Sequence, residues 1–317
     1  MIKSITITNH LNESIRLELT RPELSGFVVM SIEGLGPPKG TINTTELSTS
    51  DGGLFNSSRI SQRNIVLDLI FFNTSSETIE MIRHKSYKYF PVKKKIRFTV
   101  ETDIRTTFID GYVESNEPDI FSDREGCQIS VICPYPYFAL AGGNVVVPFT
   151  VIEPSFEFPF SDNSYKYISN MGDMVLTQGL PTLEMSSLSE KTIKVIVYEG
   201  DVDVGITIKM IATGEVSNVT IYNLETRETM RIDTDKMASL TGSGIVTGDE
   251  ITISTSKSRK SVTLFRNGRN VNILNCLDRD ADWFTLIKGD NIFSYVAESG
   301  QSNLRFIIEH QVVYEGV

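Results

Sequence analysis

The carboxylates offer the first candidate chemistry. Asp278-x-Asp280-x-Asp282 sets three oxygen-bearing side chains at alternate positions, as a hard cation favours. The sixth position is Trp283 and the twelfth is Gly289, where a calcium loop needs Gly and Glu. A polar turn ahead of a strand accounts for the same residues. Asp201 and Asp203 form a second pair, which could do acid–base work if burial split their pKa values. At a strand start beside Gly200, they read more economically as edge charges that discourage sticky pairing. His10, His84 and His310 are scattered and show no metal-ligand spacing. There is no G-x-S-x-G and no Cys/His arrangement for a nucleophile. Gly34-Leu35-Gly36 and Gly242-Ser243-Gly244 lack the further residues that cradle a phosphate. No catalytic residue, cofactor or metal ion is expected, and the chain does not read as an enzyme. Trp283, the only tryptophan, could be a plate for a sugar ring. Its neighbours Phe284, Leu286 and Ile287 argue for core packing instead.

The elements that must position these residues are mostly strands. Apolar residues alternate with polar ones at Ile5 and Ile7, at Ile15, Leu17 and Leu19, and at Ile96, Phe98 and Val100. The same period recurs at Ile193, Val195 and Val197, at Val204, Ile206, Ile208 and Met210, at Val219 and Ile221, and at Ile251 and Ile253. Turn-forming clusters separate these runs, as in sandwiches or barrels. Ile65 to Phe72 is denser and reads as a strand covered on both faces. One helix is predicted over about 75–89. Thr74 would cap it with Glu77 reaching back, Ile79, Ile82, Ser86 and Phe90 would share a face, and Pro91 would stop it. Cys127 and Cys133 lie six residues apart on one predicted strand face, about 20 Å at ~3.3 Å per residue, too far for a disulfide. A boundary falls near 140–155, where Pro134, Pro136, Pro148 and Pro154 surround a Gly142-Gly143-Asn144 turn signal.

The chain has 317 residues and a net charge of −10, most of it after residue 150. That sign disfavours general binding to nucleic acid or anionic membrane. No apolar run reaches the ~18 residues of a membrane helix, and residues 1–7 alternate where a signal peptide needs an apolar run. The stretch 83–97 runs against the overall charge, with Arg83, Lys85, Lys88, Lys93, Lys94, Lys95 and Arg97 among aromatic residues. It could face nucleic acid, end a helix, or dock onto an acidic protein surface, including a second copy. The last suits the charge best. Residues 34–63 form a long polar excursion in which Leu54 and Phe55 have little nearby to bury against. Such excursions inside compact domains are usually functional. Leu54, Phe55, Arg59, Lys93, Lys94 and Lys95 are therefore the candidate residues for contact between copies.

Several segments, in order, resemble the distal tail (Dit) proteins of long-tailed bacteriophages. They are Gly34-Leu35-Gly36-Pro37-Pro38 with Asp51-Gly52-Gly53, then Arg63 with IVLDLIFF, the single helix, and Gly111-Tyr112-Val113. The most specific is CQISVICPYPYF, Cys127 to Phe138. Tyr198 to Gly205 and Leu286 to Asn291 follow as turn motifs. The resemblance implies a mainly β chain without enzymatic activity. Residues 1–145 would form a β-barrel-like ring domain with one helix, and residues 155–317 a galectin-like β-sandwich. Six copies would close into a ring between the tail-tube protein and the tail-tip or baseplate hub protein, with a lumen that passes DNA. In some members the second domain anchors receptor-binding proteins or binds host carbohydrate. The location implied is the tip of the virion tail, after assembly in the host cytoplasm. A carbohydrate-binding module is the alternative reading.

Overall fold

The computed structural model of the chain describes residues 1–46, 51–154, 186–190, 192–257 and 259–317. The start of the expected second domain, at 155, lies outside them. The first half contains β1 (Ile2–Thr8), β2 (Ser14–Glu18), β3 (Phe27–Glu33), β4 (Gly40–Glu46), β5 (Gly53–Ile60) and β6 (Arg63–Phe71). Helix α1 (Ile79–Tyr89) precedes β7 (Lys95–Thr102), β8 (Thr106–Asp119), β9 (Gly126–Cys133) and β10 (Phe138–Pro148). Next come β11 (Thr150–Pro154), β12 (Ser186–Glu190), β13 (Ile193–Tyr198), β14 (Val204–Gly205), β15 (Thr207–Ala212), β16 (Ser217–Asn223) and β17 (Glu228–Ile232). A short α2 (Thr234–Thr241) leads to β18 (Glu250–Ser254), β19 (Ser261–Arg266), β20 (Arg269–Asn272), β21 (Thr285–Leu286), β22 (Gly289–Ser299) and β23 (Leu304–Tyr314). The protein is mainly β, as expected.

In the first half the antiparallel order β2-β1-β7-β8-β9-β6-β3 ends on two strands that follow each other in sequence and touch in space. The sheet therefore curls into a barrel-like wall around Ile5, Ile7, Leu17, Ile65, Leu67, Phe98, Ile129 and Val131. β6 buries alternate residues; between them Val66, Asp68 and Ile70 are half-buried and Asn64 is exposed, so the second face is covered only over the later part of the strand. Cys127 and Cys133 both point into this core as free thiols. In the second half, β13-β22-β16-β17 lies across from β23-β15-β18-β19, and a second core fills the space between them. This is the sandwich arrangement, with period-2 strands burying one face each. β23 joins the halves. Its start pairs with β15, from Ala212↔Leu304 to Thr207↔Glu309, and its later part pairs with β10, from Pro148↔Ile307 to Phe138↔Tyr314.

Four local expectations change. The helix begins at Ile79, not 75, because Thr78 is its N-cap and accepts a hydrogen bond from the Met81 amide. Thr74 caps only a turn, accepting from the Glu77 amide, and the Glu77 carboxylate is taken by Lys85 at 2.8 Å. Gly142-Gly143-Asn144 is not a turn; the β10–β23 register shifts between Ala139 and Asn144, so it lies in a bulge. β13 is a strand in the opposite phase: Ile193, Val195 and Val197 face outward while Ile196 and Tyr198 enter the core. Both sets are apolar, so periodicity gives the strand but not its inward face. The excursion 34–63 is not structureless either, since most of it is a hairpin of β4 and β5.

Candidate assembly site: the exposed arm and its base

Among the described residues the hairpin β4–β5 pairs only with itself, and nearly every described residue of it is exposed. The turn residues 47–50 lie outside the described residues. Leu54 is 59 % exposed and Phe55 61 %. In a ladder, paired residues share a face. The pairs Gly40↔Ile60, Ile42↔Ser58 and Thr44↔Phe55 therefore gather Ile42, Phe55 and Ile60 on one face. A bulge at Asn56 allows this, because strict alternation would send Phe55 to the face opposite Ile60. The other face carries Leu54 and Arg59 among Thr41, Asn43, Thr45 and Ser57. The arm thus bears an apolar stripe that nothing in its own chain covers among the described residues.

The base of the arm, unlike its strands, is tied into the body of the protein. Arg63, 4 % exposed, lies just after the arm. Its Nε donates to the Pro136 carbonyl at 2.6 Å, and Nη2 to the Glu315 carbonyl at 2.6 Å. Nη1 donates to the carbonyls of Gly34 and Gly36. The guanidinium also lies 4.8 Å from the Phe138 ring centroid. No carboxylate pairs with it among the described residues, and burial pushes its pKa below the usual arginine value. Only a forked, five-donor cation can satisfy so many acceptors at once. Gly34 is required here: its φ is +85°, and a Cβ would sit 2.2 Å from the Asn64 carbonyl oxygen. A cleft of about 550 Å³ opens beside this base, between Glu33, Pro38, Lys39 and Gln62.

The basic stretch is less available than its sequence suggests. Arg83 pairs with Glu125 at 2.9 Å, Lys85 with Glu77, and Lys88 with Glu13 at 2.8 Å. Lys95 and Arg97 both reach Asp110, at 2.9 and 2.6 Å. Lys93 and Lys94 alone remain without an ion-pair partner in this stretch among the described residues, in the turn before β7. The structure thus groups Leu54, Phe55 and Arg59 on one arm. It sets Lys93 and Lys94 on a separate turn and commits Lys95 internally. Arg63, the organising residue, carried no assigned role in the sequence, because its partners are backbone carbonyls and have no residue-type signature.

The remaining candidates disperse. Asp278 is held by Arg231 at 3.5 Å and Lys236 at 3.2 Å, while Asp282 accepts from the Thr229 amide. Asp201 pairs with Lys288 at 2.9 Å. Trp283 is half-buried against the second core, with the Lys260 ammonium 4.9 Å from its ring centroid. It also lines a groove of about 450 Å³ with Lys236, Asn275, Asp278 and Arg279.

Two domain families match the chain. Residues 19–122 match the phage tail protein RIFT-related domain, and residues 199–312 match the C-terminal domain of the siphovirus-type tail component. No curated protein sequence matches. Among solved structures, the Dit protein of phage SPP1 superposes with a TM-score of 0.60 at 10 % identity, covering 98 % of this chain and 99 % of that one. A chain of the phage p2 baseplate, in its activated conformation with Sr, aligns at a TM-score of 0.45 and 11 % identity over 97 % of each chain.

Proposed function

We propose a role that proceeds from one premise: the chain belongs to the siphovirus distal tail protein family. It is a structural component of a phage tail. Six copies close into a ring that joins the tail tube to the tail-tip or baseplate hub, and DNA passes through the lumen. The ring is built from residues 1–145, and a sandwich of residues 155–317 projects from it. The two separate hydrophobic cores support that division.

The single observation that carries the ring is the arm, with its uncovered stripe of Ile42, Phe55 and Ile60. A closed ring needs a heterologous contact, in which one patch meets a different patch on the next copy. An ordered arm that stands clear of its own body supplies the first patch. Lys93 and Lys94 supply a cationic contact for an acidic surface of a neighbour, one that salt would weaken. Native mass spectrometry and negative-stain imaging test the reading. The wild-type chain, alone or with its tube partner, is expected to give a hexamer and six-fold rings, and the double variant Leu54→Asp/Phe55→Asp a folded monomer. Wild-type protein that stays monomeric at every concentration, with and without the tube partner, removes the ring.

One observation favours a second reading, a carbohydrate-binding sandwich: Trp283 lines a groove with a carboxylate and two cations. A glycan array on wild type and Trp283→Ala tests it, and absence of binding to any cell-wall sugar dismisses it.

A further inference from the structure

The residues that follow β23 do not stop at the seam. Tyr314 pairs with Phe138 and lies under the Arg105 guanidinium, 3.9 Å from ring centroid to Cζ. The Glu315 carbonyl accepts from Arg63. The Gly316 carbonyl accepts from Arg105 at 3.2 Å, and the Val317 amide donates to the Leu35 carbonyl at 3.1 Å. Gly316 passes so close to the turn at the arm base that a Cβ there would lie 3.2 Å from Leu35 and Gly36 backbone atoms. Val317 and Leu35 both pack against the first core.

We propose that residues 315–317 form a strap through which the second half of the chain sets the direction of the arm, with Arg63 as the pin. Beside the direct Val317–Leu35 bond, Arg63 is the side chain among the described residues that hydrogen-bonds both sides. Nη1 grips the Gly34–Gly36 turn from which the arm departs, Nη2 grips the strap, and Nε grips the Pro136 kink between β9 and β10. The strap is a direct continuation of β23, which belongs to the sandwich. A displacement of β23 is therefore passed to the arm base through the carbonyls on this guanidinium and the Val317–Leu35 bond. The cleft beside Lys39 and Gln62 leaves the base room to turn once the strap is lost. Arg63 and residues 315–317 are thus positioning elements: they pre-set the arm and lower the ordering cost when it meets a partner. The consequence for assembly rests on the arm reading above; the coupling itself does not.

The test is an intrachain distance. Spin labels are placed at Glu46→Cys on the arm and Glu117→Cys on the barrel. The native cysteines are buried, and burial pushes the Cys127 and Cys133 thiols up to about 12, so the labels go to the introduced pair. The labelled chain is diluted into unlabelled chain, so that only the intrachain distance is read whether or not copies assemble. A single narrow distance is expected in the otherwise wild-type chain. That narrow distance is expected to be lost in Arg63→Lys, whose ammonium cannot fork, and separately on deleting residues 315–317. If Arg63→Lys does not fold, the deletion decides the matter. A narrow distance preserved in the folded variants overturns the strap. Ring counts taken on the same samples keep the two readings apart. Loss of the distance without rings in any sample keeps the strap and removes the ring, whereas rings with an unchanged distance do the reverse.

Discussion

Two arginines, Arg63 in the interior and Arg266 half-buried beside a buried carboxylate, show how this chain handles interior charge. Arg63 is solvated by carbonyls, whereas Arg266 pairs with Asp249, a carboxylate only 1 % exposed. Nε and Nη2 of Arg266 meet the two Asp249 oxygens at 2.7 and 2.6 Å, and the Ser243 hydroxyl accepts from Nη1 at 2.7 Å. Arg266→Leu would leave that carboxylate buried with no countercharge among the described residues, held only by the Val246 amide at 2.8 Å, at a cost of about 3–5 kcal/mol in urea unfolding. His310 is the converse case, a titratable group with no bond at either ring nitrogen among the described residues, edge-on to Tyr198 at 5.7 Å. Burial lowers its pKa below the ordinary 6.5. A lowered folded value means the unfolded chain binds the proton more readily. The stability contributed by neutral His310 is therefore complete above pH 6.5 and is lost as pH falls towards the folded value. Urea unfolding of wild type and His310→Phe at pH 7 and pH 5 should show wild type losing more stability over that interval.

At the level of elements, the sequence revealed strands more readily than their faces. Alternation at Ile5/Ile7, Ile96–Val100 and Ile251/Ile253 gave both, because polar residues marked the outer face. At β13 it gave only the strand, since Ile196 and Tyr198 are as apolar as their outward neighbours. Helix α1 was visible from its spacing, but Thr74 and Thr78 both carry a cap-forming hydroxyl, and local pattern does not choose between them. Lys85 does, by drawing Glu77 away. The Thr78 cap bond is long at 3.4 Å, so Thr78→Ala should cost no more than about 0.5–1 kcal/mol, read from thermal unfolding. The paired state of the basic stretch was hidden for another reason: Glu13, Asp110 and Glu125 come from elsewhere in the chain. On the arm, the Asn56 bulge holds Phe55 in line with Ile42 and Ile60. Deleting Asn56 makes the ladder regular and leaves Phe55 opposite Thr44. Self-association measured by native mass spectrometry should survive that deletion and fail in Phe55→Asp.

Over the whole molecule, the two cores are separate but the backbone is not. β10 and β23 form a seam interrupted only by the bulge at Gly142-Gly143, and the main sheet runs through it from β2 to β20. A hinge between rigid halves would need a peptide linker free of pairing; here the crossing is made by ladder hydrogen bonds. The Arg63 anchor extends the same linkage to the arm, with partners up to 252 residues apart in sequence. No local window could have shown it.

β23 also has a place in time. It is synthesised after every strand it stitches, so a chain emerging from the ribosome can complete its first core well before the strand that seals the seam exists. Nascent chains arrested before residue 304 should show a protease-resistant first half, and an arm base that is cut readily at Lys39 or Arg59. Chains that extend through residue 317 should resist at both places, as limited trypsin digestion would record. Anchoring of the arm thus waits on residues made late: chains that stop before residues 315–317 lack the means to present it for assembly.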